Sequence, residues 1–138
     1  MNTPIMLGLL ALISGGLATF IWKVAGANQV YGPSYMVVET LVFCLAAVII
    51  HVVQRHPFDL SPKLTGLGAV GGLLAAISVY AMLLAFRLGG QGSVIFPIAG
   101  LSVVVAVVLS YIVYREHISA AKMVGLGLGI SSIIILSR

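Results

Sequence analysis

Five long runs of apolar residues, separated by short polar breaks, make up nearly the whole chain, over residues 4–27, 34–53, 65–88, 93–114 and 119–136. An α-helix rises ~1.5 Å per residue, so about 20 apolar residues cross the ~30 Å hydrocarbon layer of a bilayer, and each run is near that length. No run alternates apolar and polar positions as the strands of a membrane barrel do. Lipid satisfies no open backbone group, which leaves helix as the spanning structure. The expected fold class is therefore an all-α membrane protein with five transmembrane helices.

The breaks carry turn chemistry. Asn28 to Pro33 reads as a turn, Gln54 to Leu64 with Pro57 and Pro62 is the longest polar stretch, Gly89 to Gly92 is a tight link, and Arg115 to His117 is another. Connections this short hold no extramembrane domain, so residues 1–138 read as one five-helix domain whose function sits in the bilayer or at its faces. Ala25-Gly26-Ala27 has the small-residue form of a signal-peptidase site. The apolar stretch from Ile5 to Trp22 is too long for a signal peptide and no basic segment precedes it, so the first run is expected to stay as a helix.

Composition agrees with the pattern: 61% of residues are hydrophobic and only 7% are charged, against roughly 25% charged in soluble domains. Seven Lys and Arg stand against three acids, but they are scattered at segment ends. With no basic run to follow a phosphate backbone, nucleic acid is excluded as a partner, and the excess base is read as topology signal and lipid-headgroup contact. An N-terminus inside puts Arg55, Lys63, Arg115 and Lys122 on the inner face and Lys23, Arg87 and Arg138 on the outer. If Lys23 and Arg87 are drawn into the protein, the bias favours a cytoplasmic N-terminus in the cell's inner (plasma) membrane; otherwise insertion both ways stays open.

Several residues invite a functional reading. Gly68, Gly72 and Ala76 repeat every four positions in the third run, as do Gly125 and Gly129 in the fifth. Small residues at that spacing let two helix backbones approach, within one chain or across a dimer seam. Pro97 lacks an N–H near the start of the fourth run, which predicts a kink or a carbonyl left facing a cavity. His51, His56 and His117 fall on one membrane side without acidic or thiol partners at ligand spacing, so they are read as interfacial residues. Cys44 is a lone thiol in an apolar run and is read as a small core residue. No enzyme signature, cofactor site or metal site is expected.

Glu39 is the anomaly. It stands in SYMVVETLVF, residues 34–43, flanked by apolar positions. Counted from Ser34, its Cα lies roughly 7 to 8 Å into the second span. Lys23, about 6 Å short of Ala27, has nearly the same depth on the same side, and Arg87 approaches that side at the end of the third run. A lone charge there costs on the order of a few kcal/mol, so a partner is expected. Two readings stay open: a structural ion pair, or snorkelling to the headgroups, and a water-accessible cavity in which Glu39 binds a polar solute group or a proton with Trp22, Lys23, Tyr35, Tyr80 and Arg87 around it.

The stretch from Tyr80 to Leu136 resembles the EamA repeat of the drug/metabolite transporter superfamily. The likeness lies in a helix ending near Ala85, the small-residue link Gly89 to Gly92, an early Pro97, Glu116 closing the next helix and a glycine-rich final span at Gly125 to Gly129. In the first half, Gly15-Gly16 followed by Trp22-Lys23, with Pro33 before the second helix, is similar to the family pattern. The resemblance implies half of a ten-helix transporter architecture. Typical members carry two inverted repeats, so a single repeat needs a partner, most simply a second copy, as in the related small multidrug resistance proteins. Glu39 departs from the family, which often has a base near this place.

The chain is thus expected to be a transporter that moves a small metabolite or drug-like solute by alternating access as a homodimer among membrane lipids. The alternatives are a lipid or lipid-linked-sugar flippase, and a non-transporting membrane subunit of a larger complex.

Overall fold

The computed structural model describes residues 3–115 and 120–136. Among these the chain forms α1 (Thr3–Ala27), α2 (Gly32–Gln54), α3 (Pro62–Arg87), α4 (Gly92–Gly100), α5 (Ser102–Tyr114) and α6 (Ala120–Leu136), and no strand. Glu116 and His117, and the expected start of the last helix at Ser119, lie outside the described residues, as does Arg138. Four helical runs, Thr3–Ala27, Gly32–Gln54, Pro62–Arg87 and Gly92–Tyr114, are long and apolar enough to cross a membrane, and α6 contains a shorter apolar helix.

The chain divides into two compact units, Met1–Gly89 and Gly90–Arg138. In the first unit, α3 packs against both α1 and α2. The C-terminal ends of α1 and α3 and the N-terminal end of α2 converge. Gly26 of α1 lies so close to α3 that a Cβ added there would sit 2.6 Å from Phe86 Cβ and 2.9 Å from the Leu83 carbonyl oxygen. Gly32 at the start of α2 faces the Tyr80 ring, 3.4 Å from an added Cβ. The buried apolar residues of the first unit cluster at this end: Ala25, Met82, Leu83 and Phe86. Leu7, Leu10, Leu41, Val42, Phe43 and Leu73 are more than half exposed, the distribution of helices whose outer faces meet an apolar solvent.

Local chemistry sets the helix limits. The expected starts at Ser34 and Thr65 are each early, at Gly32 and Pro62. Proline in the first turn loses nothing by lacking an N–H and begins with a helical φ, so Pro33 and Pro62 lie inside the helices. Ser61 caps α3 by accepting from Leu64 N, and Asp59 in turn accepts from both Ser61 N and Ser61 Oγ. At the end of α2, Arg55 turns left-handed at φ 53° and donates its N–H to the His51 carbonyl, while the His51 ring meets Phe58 edge to face at 5.2 Å.

In the second unit, α4 packs against α6, with Ile133 Cδ1 approaching the backbone at Gly100. The fourth run is interrupted at Leu101, one turn beyond Pro97. Leu101 N donates to the Ile98 carbonyl, three residues back, instead of reaching Pro97 four residues back.

Candidate functional site

The site is built by three helix faces of the first unit. On α2, residues Met36, Glu39, Thr40 and Phe43 fall at i, i+3, i+4 and i+7, which stacks them on one side of the helix. On α3, Gly68, Gly71, Gly72, Ala75, Ala76 and Val79 follow the same periodicity and present a stripe almost without side chains. Trp22, in the last turns of α1, completes the wall. Between them lies a cavity of about 680 Å³. The stripe makes the space: a Cβ built on Gly68, Gly71 or Gly72 meets nothing within 4 Å.

The polar groups of this cavity are few and placed together. Trp22 Nε1 donates to Glu39 Oε1 at 2.7 Å, and both residues are half-buried. Thr40, the next residue along α2, adds a hydroxyl to the lining. No lining residue carries a positive charge. A second hollow of about 530 Å³ shares Met36 and Thr40 with the first and is bordered by Pro33, Val37, Leu41 and Tyr80.

Of the residues expected around Glu39, the structure brings Trp22 against it. Among the described residues its partner is the Trp22 indole, and no ion pair joins it to Lys23. Depth counting selects the right turn of α1 but not its face, because neighbouring residues on a helix point about 100° apart. Lys23 and Tyr35 are half-buried and do not line the cavity; Tyr35 stands one turn before Glu39 on α2. Tyr80 borders the second hollow instead. Arg87 is tied to the turn after α1: its Nε donates to Gln29 Oε1 at 3.2 Å, and Gln29 Nε2 donates back to the Arg87 carbonyl at 3.0 Å.

Within the chain the glycine stripe of α3 lines open space, since a Cβ added at Gly68 or Gly72 meets nothing within 4 Å among the described residues. A Cβ on Gly125 or Gly129 of α6 also meets nothing within 4 Å. The close helix approach falls at Gly26, whose position in an apolar run gives no periodic signal. Met36, Thr40 and Phe43 were also missed. Their signal was present in the i, i+3, i+4, i+7 spacing around Glu39, which reads equally well as a lipid-facing stripe.

Comparison with known proteins adds the family context. The sequence profile of the EamA-like transporter family matches residues 2–138. An uncharacterized protein of Methanocaldococcus jannaschii is 27% identical over 139 residues, covering 99% of this chain and 98% of the relative. No solved structure matches the chain.

Proposed function

We infer, from the premise that this chain belongs to the EamA-like transporter family, that the cavity at Trp22 and Glu39 binds the small metabolite or drug-like solute it moves. The observation that carries this reading is one carboxylate, held by an indole N–H, in the wall of a mostly apolar cavity of about 680 Å³. Ligand sites combine an apolar lining with a few placed polar groups in this way. The Gly and Ala stripe of α3 gives the solute room, the apolar walls take its body, and Glu39 and Thr40 orient its polar end.

Alternating access requires the walls to move against each other while the site stays intact. The two ends of the first unit differ in how they are held. Gly26 locks α1 to α3 beside Phe86, and Gln29 with Arg87 ties the same end, whereas the N-terminal half of α1 is exposed throughout. The clamped end is the pivot in this reading and the free end opens. The interruption at Leu101 gives the fourth run a second place to bend. Lys23, Tyr35, Tyr80 and Arg87 then act around the path, not in the walls of the site.

The working unit is a homodimer in the cell's inner membrane. One five-helix repeat corresponds to half of the inverted-repeat arrangement by which many transporters build a midplane site. Gly125 and Gly129, where an added Cβ meets nothing within 4 Å among the described residues, suit a seam between copies. Arg55 and Lys63 flank the link between α2 and α3 and favour a cytoplasmic N-terminus, with Lys23 half-buried and Arg87 engaged by Gln29.

The test is solute release from proteoliposomes. Vesicles carrying the purified chain are loaded with a mixture of amines, amino acids, nucleosides and carboxylic acids, and the medium is read by mass spectrometry. Selective release beyond protein-free vesicles is expected. A release profile identical to protein-free vesicles would leave the chain as a non-transporting subunit.

A further inference from the structure

We propose that the cavity selects amphipathic organic cations: a compact positive head held between Glu39 and the Trp22 ring, with an apolar body along the Gly68 to Val79 face of α3. This rests on the transporter reading above and names its substrate class. The argument is one of charge balance. Among the described residues Glu39 receives a single hydrogen bond, from Trp22, and no ion pair. A carboxylate offers about four acceptor sites, so most of its capacity is unspent. An uncompensated charge inside the membrane region is unfavourable, and the deficit is one positive charge.

The lining supplies none. Its remaining members are apolar side chains, Thr40 and the α3 stripe of Gly and Ala. An anionic solute would meet the like charge of Glu39 with no base to offset it. A neutral solute would leave the carboxylate as it is. A cationic head completes an ion pair with Glu39, and an aromatic ring such as the Trp22 indole in the same wall adds attraction for a cation. The rest of the wall is apolar and large enough that the body attached to such a head is itself apolar. The exposed Phe43 side chain, at 75% exposure, leaves that part of the wall free to receive it.

Trp22 is the only tryptophan in the chain, so its fluorescence reports the site without a label. The full-length protein in detergent micelles is titrated with three probes of similar size: phenyltrimethylammonium, its neutral isostere tert-butylbenzene, and benzenesulfonate. A saturable change with the cation is expected, with affinity for benzenesulfonate lower by about tenfold or more. Glu39→Gln is expected to erase that preference. The wild-type comparison of cation with anion decides the matter if the variant does not fold.

The proposal is overturned if benzenesulfonate binds as tightly as the cation, if no probe gives a saturable change, or if Glu39→Gln keeps the full cation preference. The release experiment separates the two levels. Export of acids or neutral solutes alone would end the cation assignment while transport stands. Cation binding without release of any solute would end the transport reading while the site stands.

Discussion

Trp22 Nε1 and Glu39 Oε1 lie 2.7 Å apart and join the last turns of α1 to the second turn of α2. The bond fixes the carboxylate against the cavity lined by the α3 glycines. Hydrogen bonds to charged groups contribute roughly 1.5–3 kcal/mol when buried, and less where water reaches them.

Replacing Trp22 with Phe keeps a ring in the wall but removes the donor. Trp22→Phe is expected to lower stability by roughly 1 kcal/mol, read from thermal unfolding in detergent. In a double-mutant cycle with Glu39→Gln on transport KM, the two residues are expected to couple by about 0.5–3 kcal/mol. Additive effects would mean that the pair does not act as one unit.

Two glycines respond in opposite ways to the same methyl group. An added Cβ at Gly26 would sit 2.6 Å from Phe86 Cβ, so Gly26→Ala is expected to destabilise by about 1–3 kcal/mol. At Gly68 the added atom meets nothing within 4 Å, and alanine is the better helix former, so Gly68→Ala is expected to be neutral or stabilising by up to about 1 kcal/mol. Melting temperatures of the two variants in one detergent make the comparison.

Gly72 tests the cavity as a space. Gly72→Leu places a branched side chain into the about 680 Å³ hollow from a position where an added Cβ meets nothing within 4 Å. Transport is expected to fall at least about tenfold while the melting temperature changes little. Equal transport by this variant would show that the solute passes elsewhere.

Arg87 separates a structural role from a binding role. Arg87→Ala removes the Nε donor to Gln29 at an exposed position, so a loss of about 0.5–1.5 kcal/mol is expected, towards the lower figure. The Trp22 fluorescence response to phenyltrimethylammonium is expected to keep its affinity. A tenfold weaker response would return Arg87 to the site.

The helices were legible because the bilayer imposes one length and one composition on every span, and short polar breaks mark the ends. Pro33 and Pro62 hid the true starts of α2 and α3, since proline signals both a turn and a first helical residue. Glu39 stood out because a carboxylate in an apolar run needs a reason. Its partner was harder to find: depth along a helix follows from counting, but facing depends on how α1 rotates against α3, which it approaches closely at Gly26 beside Leu83 and Phe86. The α3 stripe showed its periodicity in the sequence. Small residues at that spacing serve a close helix contact and an open cavity equally well, and only the position of α2 distinguishes them.

The most direct test of the account compares solute release from proteoliposomes carrying the wild-type chain with release from vesicles carrying Glu39→Gln at equal protein content. The account predicts selective release by the wild type and at least about tenfold slower release by the variant, with both proteins equally folded. Equal rates and equal selectivity for the two proteins would contradict the assignment of the cavity at Trp22 and Glu39 as the transport site.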